Sequence, residues 1–385
     1  MPWKRTDPME ERMRLVMEVE SEVFQMSKLC ERSGVSRKTG YKWLERYRKE
    51  GVAGLQDRSR APLHCPHRTP EAIGEVLIKA RHSHPYWGGG KLVDWLQQRQ
   101  PEVKWPAAST AQEILKQAGL IEPKRRRRRR QGPTPAPLQL GEVAPHEVLT
   151  ADFKGEFRTR DRRYCYPLTI ADYPSRYLLA CRAFCSTAGG PVQRVFREIF
   201  QEYGLPRAIV TDNGTPFAST GVARLSRLSV WWIRLGIQPL RIQPGHPEQN
   251  ARHERMHRTL KEETTRPPAR NRQAQQRVFD RFRAEYNQER PHQGLQAKTP
   301  AQVYHPSPRA YPRRLPLLEY PGHFEIRRVS PNGCLSFKRK VLFIGEALKG
   351  QKVGLEEIED GIWSFYFGPV LVSRYDERQQ RLHRT

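Results

Sequence analysis

No stretch of the sequence reaches the ~18 consecutive apolar residues that a membrane-spanning helix needs, and a membrane protein is not expected. The first residues, MPWKRTDPMEERMRLVMEV, scatter charges where a signal peptide would keep an unbroken apolar core. Cysteine is scarce as well: Cys30, Cys65, Cys165, Cys181, Cys185 and Cys334 include no Cys-x-x-Cys pair. Such a set argues against a disulfide framework and for reduced, mostly buried thiols in an intracellular protein. His64, Cys65, His67, His82 and His84 gather loosely, but a second closely spaced cysteine pair is missing, and no zinc is expected. Acids are also in short supply. Against 68 Lys and Arg stand 41 Asp and Glu, a formal charge of +27. That imbalance points to a polyanionic partner, because cations that contact phosphates release counterions. With a membrane set aside, nucleic acid is the expected partner.

What is present suffices for several domains: 385 residues, 37% of them hydrophobic, exceed one ordinary core. Over 22–50, Met26, Leu29 and Cys30 have helical spacing, Ser33-Gly34 breaks it, and Ser36 suits the cap of a second helix. Trp43, Leu44 and Tyr47 form the inward face of that helix, leaving Arg37, Lys38, Tyr41, Lys42 and Arg46 outward. A short helix, a Gly-containing turn and a basic second helix make a helix-turn-helix DNA-binding domain over 1–60. An ordinary helical hairpin with a solvated basic face is the plainer alternative; the overall charge favours DNA. A second helical module, winged-helix-like, is expected over 66–121. There Pro70 starts one helix, Gly88-Gly89-Gly90 precede another, and Ser109 caps a third, a candidate reading helix near 109–118 with few cations. Residues 122–144 form a linker. Its run Arg125, Arg126, Arg127, Arg128 and two further arginines repel one another before a Pro-rich stretch. Tracking of DNA phosphate is the preferred role, beside a merely solvated segment or a nuclear-localisation signal.

From 145 to 308 strand and helix patterns alternate as βββαβαβα with a trailing helix, which implies a mixed sheet flanked by helices. A right-handed crossover places the strand that ends at Asp212 parallel to and beside the strand carrying Asp152. The later polar helix offers Glu254, with His257 or Arg258 and then Lys261 on the same face and Met256 and Leu260 on another. Two Asp on neighbouring strands and a Glu from an apposed helix can form one cluster, and like charges so close repel unless cations sit between them. Hard oxygen ligands suit Mg²⁺ or Mn²⁺, and two such ions can clamp the attacking and leaving oxygens of a phosphoryl transfer. His257, Arg258 and Lys261 would then hold DNA phosphates nearby. Each acid alone has a plainer reading: Asp212, in IVTDNGTPF, as a turn residue, and Glu254 as a solvated helix carboxylate. Glu248, Glu262 and Glu263 compete on the same stretch, although Glu262 lies about 12 Å further along the helix. Asp172, in TIADYPSRY, reads as a turn cap. The inference rests on the combination. Residues 309–385 show short strands broken by Gly, the pattern of a small β-barrel, with Lys338, Arg339 and Lys340 as candidate DNA contacts.

The segments TADFKG, VTDNGTPF and GHPEQNARHERMHRTLKEE, followed by YNQERPHQGLQAKTPAQVY, closely resemble the catalytic region of insertion-sequence transposases. Those enzymes share their DDE (rve) core with retroviral integrases. The resemblance runs in order over 145–305 and implies a ribonuclease H-like fold, with Asp152, Asp212 and Glu254 as the acids that hold two Mg²⁺ (or Mn²⁺) ions per site. It further implies DNA breakage and strand transfer by in-line attack, without a covalent protein–DNA intermediate, and assigns Lys261 to transposon-end DNA. Helix-turn-helix units stand where related cores often carry a zinc-binding module. The implied partners are double-stranded DNA, both transposon ends with their terminal inverted repeats and the target. A dimer or tetramer on paired ends is implied, in the cytoplasm of a prokaryotic cell and associated with the nucleoid. Asp212 and Glu254 stand 42 positions apart, wider than usual for the family; the excess falls in STGVARLSRLSV, read as a tolerated insertion. Two rivals remain: a non-catalytic, sequence-specific DNA-binding regulator with a decayed nuclease core, and a simple nuclease of the same fold. The expected class is multidomain α/β: helix-turn-helix modules, a ribonuclease H-like mixed-sheet core and a small C-terminal β-barrel.

Overall fold

The computed structural model describes residues 7–58, 68–121, 140–219, 221–222, 224–243 and 246–384. Arg125, Arg126, Arg127 and Arg128, with most of the linker, lie outside the described residues, as do His64, Cys65 and His67. The chain divides into two compact units, Met1–Arg68 and Thr69–Thr385. Among the described residues no helix is long and apolar enough to cross a membrane.

In the first unit α2 (Met26–Arg32) and α3 (Arg37–Glu50) are the two expected helices. Ser36 caps α3 by accepting the Thr39 amide at 3.2 Å. Gly34 turns between them at φ +64, a left-handed conformation that glycine adopts without strain. Gly40 lets α2 approach α3, since a Cβ there would stand 2.5 Å from Cys30 Sγ. Ahead of them lies α1 (Pro8–Glu20), a helix the charge-scattered N-terminus did not announce. Asp7 caps it by accepting the Met9 amide, and Pro8 occupies the first turn. Val16, Trp43, Leu44 and Leu55 close a small core among the three.

The second unit begins with α4 (Glu71–Ser83), α5 (Gly89–Arg99) and α6 (Ala108–Gln117). Two expectations change here. The cap of α6 is Ala107, so Ser109 lies inside the first turn. Residues 68–121 also contain no strand and therefore no wing. Leu77, Trp87, Leu92, Leu96, Ala111 and Leu115 form the module's core. The module rests on the segment around 285–291 through polar contacts. His84 Nδ1 lies 3.0 Å from Glu285 Oε1, and Lys91 Nζ donates to the Pro291 carbonyl at 2.8 Å.

The central sheet consists of β1 (Val148–Phe153), β2 (Phe157–Arg158), β3 (Tyr164–Asp172), β4 (Leu178–Phe184), β5 (Ala208–Thr211) and β6 (Gln238–Arg241). β3 pairs antiparallel with β1 and β4. β1 pairs parallel with β5, and β5 parallel with β6. The expected mixed sheet is therefore present, with the two-residue β2 added beside β3. On one face α7 (Gly189–Tyr203) and α8 (Arg227–Arg234) bury Val192, Phe196, Phe200 and Trp232 against Leu149, Ala151, Leu168 and Ile170. On the other, α9 (Ala251–Thr264) and α10 (Arg272–Gln288) bury Met256, Leu260, Phe279 and Phe282 against Cys165, Leu178 and Cys181. Cys165 and Cys181 are free thiols, as are Cys30, Cys185 and Cys334.

After the short α11 (Pro300–Val303), the C-terminal region holds β7 (Glu325–Arg328), β8 (Cys334–Phe337), β9 (Lys340–Phe343), β10 (Lys352–Glu359), β11 (Ile362–Phe367), β12 (Val370–Asp376) and β13 (Arg381–Arg384). Five strands form an antiparallel sheet in the order β13-β12-β11-β10-β7, and β8 with β9 makes a separate hairpin. The strand ladder is open among the described residues, so the expected barrel is not closed by hydrogen bonds. Its core includes Leu225, Val230 and Ile233 from the other side of the chain. The stretch read as a mere insertion thus contributes a buried anchor, Leu225, bridged to Ala218.

Candidate active site

Side chains along a strand alternate between faces. Leu149 and Ala151 pack toward α7 and α8, so Thr150 and Asp152 turn toward α9. The parallel register sets Thr150 beside Val210 and Ala151 beside Thr211, which brings Asp152 and Asp212 to neighbouring strand ends on that same face. Asp212 stands one residue past β5 in the Asn213-Gly214 bend. Glu254 lies in the first turn of α9, exposed.

The electrostatics tie the three acids together. Burial, then the charge of Asp212 and that of Glu254, push the Asp152 carboxyl up to about 7, against the Phe153 amide and Lys154, which pull it down. Burial also raises Asp212, while the Gly214 amide lowers it. Asp212 Oδ1 is buried without a hydrogen-bond partner. Asp152, which feels the charge of both other acids, and Asp212, with its orphaned buried oxygen, offer the hard oxygen donors that suit a divalent cation.

Several neighbours escaped the sequence reading. Asn250 is buried and donates through Nδ2 to Asp152 Oδ2 at 3.3 Å. His253 contacts Thr150 Oγ1 through Nδ1 at 2.8 Å and Thr169 Oγ1 through Nε2 at 2.6 Å. Lys154, half-buried beyond Asp152, has its ammonium pKa lowered by burial and by Lys261. No spacing rule singles these out, because each depends on how far α9 lies along the sheet. Among the described residues, Asp152, His253 and His257 approach one another closely enough to share an ion, a group that does not include Asp212 or Glu254. Both nitrogens of His253 already face threonine hydroxyls, so the carboxylates are the better donors. Burial holds His253 neutral, its pKa lowered to about 3.

One expectation is corrected. His257, placed by helical spacing on the phosphate-facing side, is buried; its Nε2 lies 2.7 Å from Thr169 Oγ1 and its Nδ1 3.8 Å from Asp152 Oδ2. Arg258 and Lys261 are exposed, while Met256 and Leu260 pack inward. The competing acids of α9 divide. Glu263 is taken by Arg290 at 2.6 Å, and Glu262 is half-exposed. Asp172 caps its turn, accepting the amides of His146 at 2.8 Å and Ser175 at 3.1 Å.

In the first unit Arg37, Lys38, Tyr41 and Lys42 are exposed on α3, and Arg46 is half-buried with its guanidinium 5.0 Å from the Trp43 ring centre. In the C-terminal sheet Lys338 pairs with Glu377 at 3.1 Å.

Comparison with known proteins agrees with this layout. Residues 142–247 and 235–300 match integrase core domains. Residues 11–62 match a helix-turn-helix domain and 39–115 a homeodomain-like domain. The chain is 29% identical to a 39.2 kDa protein of insertion element IS476 from Xanthomonas euvesicatoria, over 70% of this chain and 75% of that one. It is 27% identical to a 31.7 kDa protein of insertion element IS407 from Burkholderia multivorans, over 63% and 86%. Among solved structures, the HTLV-2 integrase catalytic core domain in complex with magnesium aligns at 14% identity and TM-score 0.32, covering 42% of this chain and 99% of that one. The simian T-cell lymphotropic virus intasome aligns at 16% and 0.38, covering 76% and 97%; at such scores neither decides anything. An integrase core domain thus follows helix-turn-helix and homeodomain-like domains, in a chain similar to proteins of two bacterial insertion elements.

Proposed function

We propose that the protein is a DNA transposase that binds the terminal inverted repeats of its element and breaks and joins DNA by metal-dependent, in-line phosphoryl transfer. The observation that carries the reading is Asp152, which burial and then the charges of Asp212 and Glu254 push up to about 7. An acid cluster of that kind is out of place in a protein of charge +27 unless cations join it. Asp152, Asp212 and Glu254 would hold Mg²⁺ or Mn²⁺, two ions per site, which when bound lower the pKa of a nucleophilic water or 3′-hydroxyl and stabilise the leaving oxygen. The chain's own residues do the rest. Asn250 orients Asp152, the Gly214 amide orients Asp212, and His253 and His257 fix α9 against the sheet as neutral imidazoles. Arg258 and Lys261 face phosphate from the outward side of α9. On α3, Arg37, Lys38, Tyr41 and Lys42 meet the duplex, with Arg46 supporting from Trp43. Joining two ends calls for a dimer or tetramer.

The test is to incubate the protein with duplexes taken from the DNA bordering its coding sequence and with supercoiled plasmid in Mg²⁺, then to sequence the junctions. Joined ends are the expected result. Cleavage without joining would leave a nuclease, and binding without cleavage even in Mn²⁺ would leave a regulator.

A further inference from the structure

β1 and α9 meet as a ladder of side chains. Two residues along a strand advance about 6.6 Å and four along a helix about 6 Å, so facing positions stay in step. The first rung is Thr150 with His253, at 2.8 Å. The second is Asp152 with His257, at 3.8 Å. The third position on each side is Lys154 and Lys261. Strand geometry reaches Lys154, because its amide donates to the Pro167 carbonyl at 2.9 Å, one step beyond the Phe153–Leu168 pair. Lys154 is half-buried and Lys261 exposed, and neither makes an ion pair within the described residues.

The rungs differ in kind. A hydroxyl meets an imidazole, a carboxylate meets an imidazole, and the third position on each side is a lysine, close enough for Lys261 to lower the Lys154 pKa. Two facing cations repel, and an anion between them turns that repulsion into two attractions. A phosphate of a DNA strand is such an anion, and the position lies immediately beyond the Asp152 rung. We propose that Lys154 and Lys261 jointly hold one backbone phosphate of the bound DNA strand, next to the phosphate that reacts. The assignment rests on the transposase reading. Lys154 adds to the site a contact made from the sheet side, so the strand is gripped from β1 and α9 at once.

The test is metal-free binding. A fluorescein-labelled duplex from the DNA bordering the coding sequence is titrated with the protein in EDTA over a series of KCl concentrations. Lys154→Gln is expected to weaken binding about 3- to 10-fold at low salt with a fall in the log–log salt slope of less than 1, because Lys261 still holds the phosphate, while Lys154→Arg retains both. If both lysines share one phosphate, adding Lys261→Gln to Lys154→Gln costs less than the product of the two single losses. In the free protein Lys154→Gln relieves the repulsion from Lys261 and gives up the attraction to Asp152, so a melt of each variant is run beside the titration, and an unchanged melting temperature shows that weakened binding is not unfolding. Binding by Lys154→Gln as tight as the parent's overturns the proposal, and so do losses that multiply, which would mean separate phosphates. Because this readout needs no metal and no chemistry, failure to join ends in Mg²⁺ would count against the transposase reading alone.

Discussion

The cations of α3 and the acids at the ends of β1 and β5 are both clusters of like charge, built on opposite terms. Arg37, Lys38 and Lys42 stand in water, where screening makes their mutual repulsion small. Asp152 and Asp212 are largely withdrawn from water, and burial raises both. The exposed cluster waits for an anionic surface without strain. The buried one is held toward its protonated form as it stands, and on the proposed reading a divalent cation would relieve it. On that reading one region would select a partner by shape and place, the other by charge.

The sharpest way to break that contrast is Glu254→Gln. Removing the third acid is expected to abolish Mg²⁺-dependent cleavage while end binding in a gel shift stays nearly intact; full nicking by this variant would remove Glu254 from the site. Next in size is the pH dependence of the metal-free protein. Asp152 rises from 3.8 unfolded to about 7 folded, so the folded state holds this proton more tightly. Its penalty is absent below pH ~4, grows as pH climbs toward 7 and is then constant, on the order of 4 kcal/mol at full size. Melting curves between pH 4 and 8 should show this decline, flattened by Asp152→Asn. Mg²⁺ should raise the melting temperature at pH 8 and barely at pH 5. At the other region, Lys38→Ala should weaken DNA binding by a few-fold and lower the salt slope by about 1, without altering thermal stability. Smallest is Ser36→Ala, which removes the cap of α3 and should cost about 1 kcal/mol in a melt of the protein.

The acids on the sheet were legible because alternation along a strand and the handedness of a crossover are local rules. Those rules place Asp152 and Asp212 side by side before any packing is known, and the register of β1 with β5 is the one they require. His257 shows where such rules stop. Helical spacing says which residues share a face of α9, but the depth of the helix on the sheet decides which edge of that face is covered. With Thr169 beneath it, His257 falls on the covered side. Asn250 was invisible for a related reason: it precedes the helix, and only the turn of Pro247–Asn250 carries its amide to Asp152. At Leu225 the spacing between acids reads as slack, yet its use lies in packing against strands more than a hundred residues away, and no local pattern reports that. α6 begins before Ser109 because Ala107 already has the extended backbone of a cap.

The threonine–histidine contacts beneath α9 have a consequence of their own. Greasy surfaces can slide over one another with gradual loss, but Thr150 and Thr169 offer discrete sockets to His253 and His257. A displacement of the helix by one turn would put one histidine in the other's place and carry the other off its threonine, leaving buried polar groups unmet. The helix that carries Glu254 is therefore indexed like a key in a lock, and the placement of Glu254 is decided when the chain folds.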